Sequence, residues 1–316
     1  MNPMTRESRD EKNKMEIGSI ASTSGPYKHR KSNTGEFGGT GTSKHGTSQE
    51  RSFKLEAPLH SDSITSLIGI RSGLVLSASA DKTILLSNYD RGEVIRKWVG
   101  HEEEVTKMSY CNVPAKQFVV SGSRDSTLRM WNFMSSDPVA TFIGHEFVVT
   151  ATAIINDGSQ ICSGSRDNCL KVWDVETGVC IRTSKQPRNL ITHIAWSRQL
   201  DLIAQTSEDK ELKLWDLRQA SDPVYTFPKK QHILSHCDIS AEGLQCVCSS
   251  NGFNGNGCEI SLYDLRERIL IREYVGHEQS VNCAVFLPSK FAQSRSDLLI
   301  SVSTDHSVRV WNRDDA

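Results

Sequence analysis

From residue 51 onward the chain consists of short runs that mix β-branched and apolar residues, separated by turn sequences. Runs such as Leu74–Ser79, Thr83–Ser87 and Phe118–Ser121 have the length and composition of β-strands. Pairs such as Asp157-Gly158 and Thr177-Gly178 stand between these runs and are typical of tight turns. No segment has a sustained period of 3.6 residues, so the pattern predicts an all-β protein.

The strand-rich part of the chain repeats itself six times. Each repeat ends in Trp-Asp or a variant, within the segments Asp81–Asn88, Asp125–Asn132, Asp167–Asp174, Asp209–Asp216, Gly257–Asp264 and Asp305–Asn312. The positions equivalent to Trp lie 42 to 48 residues apart and hold Ser87, Trp131, Trp173, Trp215, Tyr263 and Trp311. Gly-His pairs precede three of the repeats, at Gly100-His101, Gly144-His145 and Gly276-His277, and His60 stands in the same place without its glycine. This period and these two dipeptides indicate one four-stranded blade per repeat.

On these residues the chain resembles the WD-repeat family, over about 260 residues from Arg51 to Ala316. The resemblance implies a β-propeller of four-stranded antiparallel blades, six of which are visible as repeats. The last repeat has sequence for three strands, and Arg51–Ala57 precedes His60 as an outer strand should. We therefore expect Arg51–Ala57 to complete blade six and close the ring. An incomplete seven-blade ring is the alternative, because members of the resembled family carry one more, less regular repeat.

Residues 1–50 have a different composition from the repeats. They are rich in Gly, Ser, Thr, Lys and His and nearly empty of β-branched apolar residues. Such a segment cannot bury enough surface to offset its ordering entropy, so we expect a disordered tail before a propeller domain of residues 51–316. Its glycine run, Gly38–Ser43, lacks the Gly-Lys-Ser/Thr of a phosphate loop.

Composition narrows the classes of partner. Lys and Arg number 37 against 38 Asp and Glu, a net charge of −1, which favours neither nucleic acid nor an anionic membrane surface as the main partner. No apolar run approaches the roughly 20 residues that span a bilayer, and the first ten residues do not form a secretory signal. The nine cysteines form no C-x-x-C pair and lie mostly in apolar stretches, which indicates a reducing compartment such as the cytoplasm or nucleus.

His, Ser and Asp recur together in several repeats, for example as His101, Ser121 and Asp125. A catalytic triad occurs once in an enzyme, beside an oxyanion hole, whereas this set accompanies the Trp of successive repeats. The family resemblance implies a structural role instead, as a buried hydrogen-bond chain from Trp through Ser or Thr to His and Asp. The residues expected in this network are His101, Asp125, Trp131, His145, Asp167, Trp173, Asp209, Trp215, His277, Asp305 and Trp311.

Repeats four and five depart from the pattern. Pro187-Arg188 stands where repeat two has His101, so Asp209 is expected to lack its usual partner. Repeat five has Gly257 in place of the turn Asp, inside a glycine-rich stretch. Its histidines and cysteines match no zinc-binding spacing, so we expect no metal, no cofactor and no catalytic residues. The residues weighed for zinc were His232, His236, Cys237, Cys246, Cys248 and Cys258.

A rigid ring with loop-built faces and no set of catalytic residues favours a non-enzymatic protein-interaction scaffold. We expect it to act as a single propeller within a complex of other proteins. The loops around the channel are expected to bind the partner on blades two to four, where Arg124 and Arg166 hold equivalent places. The candidate residues are Glu104, Thr106, Arg124, Phe147, Val148, Thr150, Arg166, Leu190, Thr192 and Glu208.

Two further resemblances suggest a role for the scaffold. Arg188–Trp196, Gln205–Arg218 and Ser249–Arg266 are similar to a family member with a cytoplasmic role in cilium assembly and ciliary trafficking. Trp215–Arg218 and Tyr263–Arg266 resemble the Arg-containing boxes of cullin-4 ubiquitin-ligase substrate receptors, which makes such a receptor the alternative function.

Overall fold

The computed structural model describes residues 59–113, 116–186, 188–218, 222–287 and 298–313, and they form six antiparallel β-sheets arranged as the blades of a propeller. Each blade is a meander whose strands run in chain order from the channel outward. Blades one to three consist of β1 (Ile64–Arg71), β2 (Leu74–Ser79), β3 (Thr83–Asn88), β4 (Glu93–Val99), β5 (Val105–Val113), β6 (Lys116–Ser123), β7 (Thr127–Trp131), β8 (Ala140–Ile143), β9 (Val149–Ile155), β10 (Gln160–Ser165), β11 (Cys169–Asp174) and β12 (Cys180–Lys185).

Blades four to six continue the same arrangement, and blade six has three described strands. They consist of β13 (Ile191–Ser197), β14 (Leu202–Ser207), β15 (Leu212–Asp216), β16 (Tyr225–Thr226), β17 (Ile233–Ile239), β18 (Gln245–Asn251), β19 (Ile260–Asp264), β20 (Ile269–Tyr274), β21 (Val281–Phe286), β22 (Leu298–Ser303) and β23 (Val308–Asn312). One 3-10 turn, Asn156–Gly158, is the only helical element in these ranges, and nothing in them is a helix long and apolar enough to span a membrane.

The strands and turns predicted from the sequence are confirmed. The run Leu74–Ser79 is β2, and Thr83–Ser87 lies within β3. The turn glycines Gly158 and Gly178 have φ of 80° and 72°, a left-handed conformation that glycine adopts without strain. All nine cysteines are free thiols and eight of them are buried, in agreement with their apolar sequence context.

A hydroxyl on each inner strand ties one blade to the next. Every inner strand has a β-bulge near its start, at the position held by Thr65, Thr106, Thr150, Thr192 and Ser235 in blades one to five. Each of these hydroxyls donates a hydrogen bond to a backbone carbonyl of the following blade. The Oγ1 of Thr150, for example, lies 2.6 Å from the carbonyl oxygen of Ile191.

A layer of mostly polar, buried side chains directly follows these bulges. His193 and His236 stack with ring centroids 3.9 Å apart, and Lys107 from blade two is buried near them. Burial lowers the pKa of both histidines well below the usual range, and each also feels the charge of Lys107. The whole layer consists of Ser66, Lys107, Ala151, His193, His236 and Cys283, all of them buried.

The junction between blade six and blade one differs from the other five. Neighbouring inner strands pack on each other from β1 through β21, but the described β21 and β22 have no comparable packing on β1. Val308 and Val310 of β23 are 67% and 59% exposed, whereas their equivalents Ile260 and Leu262 in blade five are 0% and 1% exposed. Among the described residues, this junction therefore lacks the strand-to-strand packing of the other five.

The segments that bear on closure, the tail 1–50 and the expected closing strand Arg51–Ala57, lie outside the described residues. The pairing of Arg51–Ala57 with β23 therefore stays a prediction. Removal of residues 51–57 together with the tail is expected to lower the melting temperature, because an outer strand would be lost. A chain lacking only residues 1–50 is the control and should melt like the full chain. Equal melting of all three proteins would contradict the closing strand.

Candidate functional site

A hydrogen-bond chain joins four side chains in blades two, three and six. In blade three Trp173 Nε1 donates to Ser163 Oγ at 2.8 Å, and His145 lies 2.7 Å from both Ser163 Oγ and Asp167 Oδ2. In blade two Trp131 donates to Ser121, and His101 bridges Ser121 and Asp125 in the same way. In blade six the members are Trp311, Ser301, His277 and Asp305, at 2.7 to 2.8 Å.

The tryptophan sets the direction of the first hydrogen bond in the chain. Because the indole of Trp173 can only donate, the hydroxyl of Ser163 accepts from it, and the same oxygen lies 2.7 Å from His145 Nε2. His145 Nδ1 in turn lies 2.7 Å from Asp167 Oδ2. Burial opposes ionisation of Asp167, but hydrogen bonds from His145 and backbone N–H groups outweigh it and hold its pKa well below the usual range.

These serines cannot act as nucleophiles where they stand. Ser121, Ser163 and Ser301 are at most 1% exposed, and each hydroxyl is engaged by an indole and an imidazole. A catalytic serine must reach a substrate carbonyl beside an oxyanion hole. The His-Ser-Asp sets therefore have a structural role. They tie the loop that leads into the first strand of each blade, here called the entry loop, to the strands of that blade.

Blade one contains most of the same network without a tryptophan. His60 lies 2.9 Å from Asp81 Oδ2 and 2.8 Å from Ser77 Oγ. Burial raises the pKa of Asp81, but hydrogen bonds from Thr83, from the backbone of Ser61 and from His60 outweigh this effect and lower the pKa to about 2. The sequence marked His60 by position alone, and the missing glycine and tryptophan left the rest of this network unpredicted.

Blade four rebuilds the network with different residues. Asp209 has no histidine partner among its described contacts, as the sequence predicted, and its carboxylate is paired with Lys213 of the next strand. The position of the histidine is taken by Asn189, whose Oδ1 accepts from Gln205 at 2.6 Å and from Lys213 at 3.2 Å. Trp215 Nε1 is buried without a hydrogen-bond partner in the described structure, so here the tryptophan contributes packing alone.

The loops proposed to bind a partner meet on one face of the propeller. Backbone N–H groups of Arg124, Arg166 and Glu208 donate to the carbonyls of Glu104, Val148 and Leu190, at 2.9, 3.0 and 2.9 Å. Each of these bonds joins a blade's entry loop to the turn between its second and third strands. This face, which we call the entry face, is thus built the same way in blades two, three and four.

The two arginines of the entry face make ion pairs with glutamates. Arg124 Nε lies 3.4 Å from Glu104 Oε2 within blade two, and Arg166 pairs with Glu208 of the neighbouring blade. Neither binds the Asp of its own blade, because His101 and His145 occupy those carboxylates. The arginine side chains keep 60% and 49% of their surface exposed.

The threonines predicted at this site have a different role. The hydroxyls of Thr106, Thr150 and Thr192 donate to carbonyls of the next blade, and their side chains are half-buried. They therefore hold the entry face in position through hydrogen bonds to the neighbouring blade. Their contribution to a contact surface with Glu104, Arg124 and the rest stays a prediction.

Two aromatic side chains extend from the entry face into solvent. Phe147 is 59% exposed on the entry loop of blade three, and Phe253 is 67% exposed on the glycine-rich turn of blade five. Phe253 forms a β-bridge with Gln279 on the entry loop of blade six, which places it on the same face. The sequence did not predict Phe253, although an aromatic residue inside a glycine-rich turn is a signal of exposure.

The arginines of the two Trp-Asp-x-Arg-like boxes are held differently. Arg218 makes a bidentate ion pair with Asp216 of its own blade, with both N–O distances 2.9 Å. In the next blade Asp264 instead accepts two backbone hydrogen bonds, from Arg266 and Glu267 at 2.8 Å. Arg218 and Arg266 therefore do not form an equivalent pair.

The zinc candidates of blade five are dispersed. Cys246 and Cys248 lie on one strand with their sulfurs 3.8 Å apart, and Cys237 Sγ lies 3.7 Å from His193 Nδ1. No group of three or more His, Cys, Asp or Glu side chains in the described ranges is arranged to hold a metal ion.

Comparison with protein families agrees with this geometry. The family model described as "WD domain, G-beta repeat" matches residues 92–132, 136–174, 178–216 and 268–312, which together cover just over half of the chain. The matched segments end at the third strands of blades two, three, four and six, the blades that have Trp before the final Asp or Asn. The chain therefore belongs to the WD40-repeat family of β-propellers.

Proposed function

We propose that this chain is a non-catalytic scaffold that binds another protein on its entry face. The observation that supports the proposal most is the sector around Arg166, where a half-exposed arginine and the exposed ring of Phe147 lie on loops fixed by backbone hydrogen bonds. Arginine and aromatic residues are enriched among the residues that dominate binding energy at interfaces. Because the loops are already ordered, little entropy is lost when a partner docks.

The ion pairs of the entry face leave its arginines available. Surface ion pairs contribute only about 0–1 kcal/mol, so a partner carboxylate can replace Glu104 or Glu208 at little cost. The same glutamates keep the face close to neutral when it is free. A partner with an apolar side chain for Phe147 and an acidic group for Arg124 or Arg166 fits this surface.

The test compares variants of the entry face with variants of the outer rim. Proximity labelling of the tagged chain first identifies a partner, which is then purified for affinity measurements. Arg124→Glu/Arg166→Glu is expected to weaken binding by about 10-fold or more, since truncating a central interface residue costs about 1–2 kcal/mol or more. Lys97→Glu and Lys229→Glu make the same charge change at exposed positions of the rim and should have little effect. Loss of binding in the rim variants alone would place the site elsewhere.

The proposal extends to a cytoplasmic, ciliary setting. Its support is the similarity of Arg188–Trp196, Gln205–Arg218 and Ser249–Arg266 to WD repeat-containing protein 31. Imaging of the tagged chain in ciliated cells tests this part separately, because a scaffold that never reaches the cilium base would leave the binding proposal intact and remove the ciliary one.

A further inference from the structure

Three Asn-Gly pairs follow one another in the glycine-rich turn of blade five. They are Asn251-Gly252, Asn254-Gly255 and Asn256-Gly257, and all three asparagines are exposed. An asparagine followed by glycine loses its side-chain amide readily, because glycine has no Cβ to hinder attack of its backbone nitrogen on the side-chain carbonyl carbon. The surroundings of the three pairs differ, and only one of them has room for this reaction.

The pair Asn254-Gly255 forms the tip of a two-residue hairpin. Phe253 and Asn256 exchange both backbone hydrogen bonds, at 2.9 and 3.0 Å, and the two residues between them have φ of 51° and 74°. These positive values are those of a type I′ turn, which Asn-Gly favours. Both residues of the tip are exposed, and a Cβ at Gly255 would meet nothing within 4 Å. The tip therefore has the space that ring formation needs.

The other two pairs are closely packed. Asn251 is the last residue of β18, and its side-chain oxygen accepts a hydrogen bond from Ser280. Gly252 and Gly257 are buried, and a Cβ at Gly252 would lie 2.1 Å from the carbonyl carbon of Gly257. A Cβ at Gly257 would lie 1.9 Å from Cδ2 of His232. The backbone at these two pairs is therefore less free to rearrange than at the tip.

Contacts with blade six hold the tip in place. The N–H of Gly255 donates to the carbonyl of Glu278 at 2.8 Å, which engages the nitrogen that has to attack. Ser280 Oγ also lies 3.1 Å from the carbonyl oxygen of Gly252. Contacts of this kind open locally, without unfolding of the whole domain. The reaction is therefore expected in the fraction of molecules in which the turn has left blade six.

We propose that Asn254 is a site of spontaneous deamidation, controlled by the contact between the blade-five turn and blade six. The backbone nitrogen of Gly255 bonds to Cγ of Asn254, and its proton passes through water to the side-chain nitrogen. The C–N bond of the side-chain amide then breaks and releases ammonia. A water molecule opens the resulting five-membered imide, either at Cγ to give aspartate or at the main-chain carbonyl to give isoaspartate. Neither step oxidises or reduces any group.

Both products change the entry face. Each carries a carboxylate, which is ionised at neutral pH, and so adds a negative charge next to Phe253, a side chain that is 67% exposed on this face. Isoaspartate also lengthens the main chain by one carbon, within a turn whose two-residue length sets the register of the hairpin. The inference does not rest on the proposed function, because the reaction needs no partner protein.

Peptide mapping by mass spectrometry locates the product. The folded chain is incubated at neutral pH, digested and compared with the chain incubated in concentrated urea, where all three pairs are free. In the folded chain we expect Asn254 to react faster than Asn251 and Asn256 by about tenfold or more, the factor that about 1.4 kcal/mol of local opening free energy supplies. In urea the three rates should be similar. Faster reaction of Asn251 or Asn256 in the folded chain, or no product at Asn254, would overturn the proposal.

Two matched serine variants test the control by blade six. Ser280→Ala removes the hydroxyl that binds the turn and is expected to raise the rate at Asn254 several-fold. Ser72→Ala alters an exposed serine of blade one and should leave the rate unchanged. Asn254→Gln should abolish the product at this position, because the longer side chain has to close a six-membered ring. An equal rate in Ser280→Ala and the unchanged chain would show that this contact does not control the reaction.

A second measurement covers the case in which Ser280→Ala does not fold. Urea at concentrations below the unfolding transition promotes local opening in the unchanged chain and should raise the rate at Asn254 while the chain stays folded. Amide hydrogen exchange at Gly255 reports the same opening and should rise in parallel. A deamidation rate that stays constant while exchange at Gly255 rises would overturn the proposal.

Discussion

Trp173→Ala is expected to lower the free energy of unfolding by about 3–5 kcal/mol, the cost of removing a large buried ring. Trp173 is 1% exposed and packs edge-on against Phe142 of blade two, with ring centroids 5.8 Å apart. Its loss would empty the contact between blades two and three and leave Ser163 Oγ without its donor. For a domain of this size the melting temperature should fall by roughly 10 °C.

Two matched changes separate packing from hydrogen bonding. Trp173→Phe keeps most of the ring and removes the indole N–H, so it should cost only about 1 kcal/mol. Trp311→Ala removes a tryptophan with the same 2.8 Å hydrogen bond to serine, but this ring is half-buried, and the loss should be smaller than for Trp173→Ala. An unchanged melting temperature in Trp173→Ala would contradict the role assigned to this network.

The second large effect is on pH dependence, through the stacked pair His193 and His236. Burial lowers the pKa of both rings well below the ordinary 6.5, and Lys107 and the neighbouring histidine act in the same direction on His193. The unfolded chain therefore binds protons below pH 6.5 that the folded chain does not. Stability from this source is complete above about pH 7 and is lost as the pH falls, by up to about 2.7 kcal/mol per pH unit for two protons.

Urea unfolding between pH 7.5 and 5.5 measures this slope. His193→Gln/His236→Gln should flatten it, whatever the absolute stability of the variant. Asp238, Cys237 and Cys283 act on Lys107 and are retained in this variant, so the change in slope reports on the histidines. The exposed His306 is the control, and His306→Gln should keep the original slope. An identical slope in the double variant would show that the buried pair is not kept neutral.

The repeat period predicted the fold because it follows from the physics of one blade. Trp131 and Trp173 recur with His101 and His145 at a fixed distance, since each set ties the entry loop of its own blade to that blade's strands. Short-range hydrogen bonding of this kind depends on residues close in the sequence. It was therefore visible without the structure.

Contacts between blades were not predictable in the same way. The sequence could not show that the hydroxyls of Thr150 and Thr192 lie 2.6 and 2.7 Å from carbonyl oxygens of the next blade. The sequence predicted that Asp209 lacks its usual histidine partner, but it did not predict that Asn189 and Lys213 form a replacement network. The spacing from Asn189 to Asp209 is two residues shorter than from His145 to Asp167, so Asn189 was not aligned with the histidine. Phe253 depends on the path of a glycine-rich turn, which composition alone does not define.

The junction between blade six and blade one also decides how stability is distributed among the blades. In an array where each unit is held chiefly by its neighbours, terminal units have one stabilising interface and internal units have two. Blades one and six are such terminal units among the described residues, whereas in a closed ring every unit is internal. Amide protons of β1 and β23 would then exchange by fraying while those of blades three and four wait for global unfolding. A ligand bound between blades one and six would give each of these terminal blades a second interface. Its binding energy would then stabilise every blade through the cooperativity of the array.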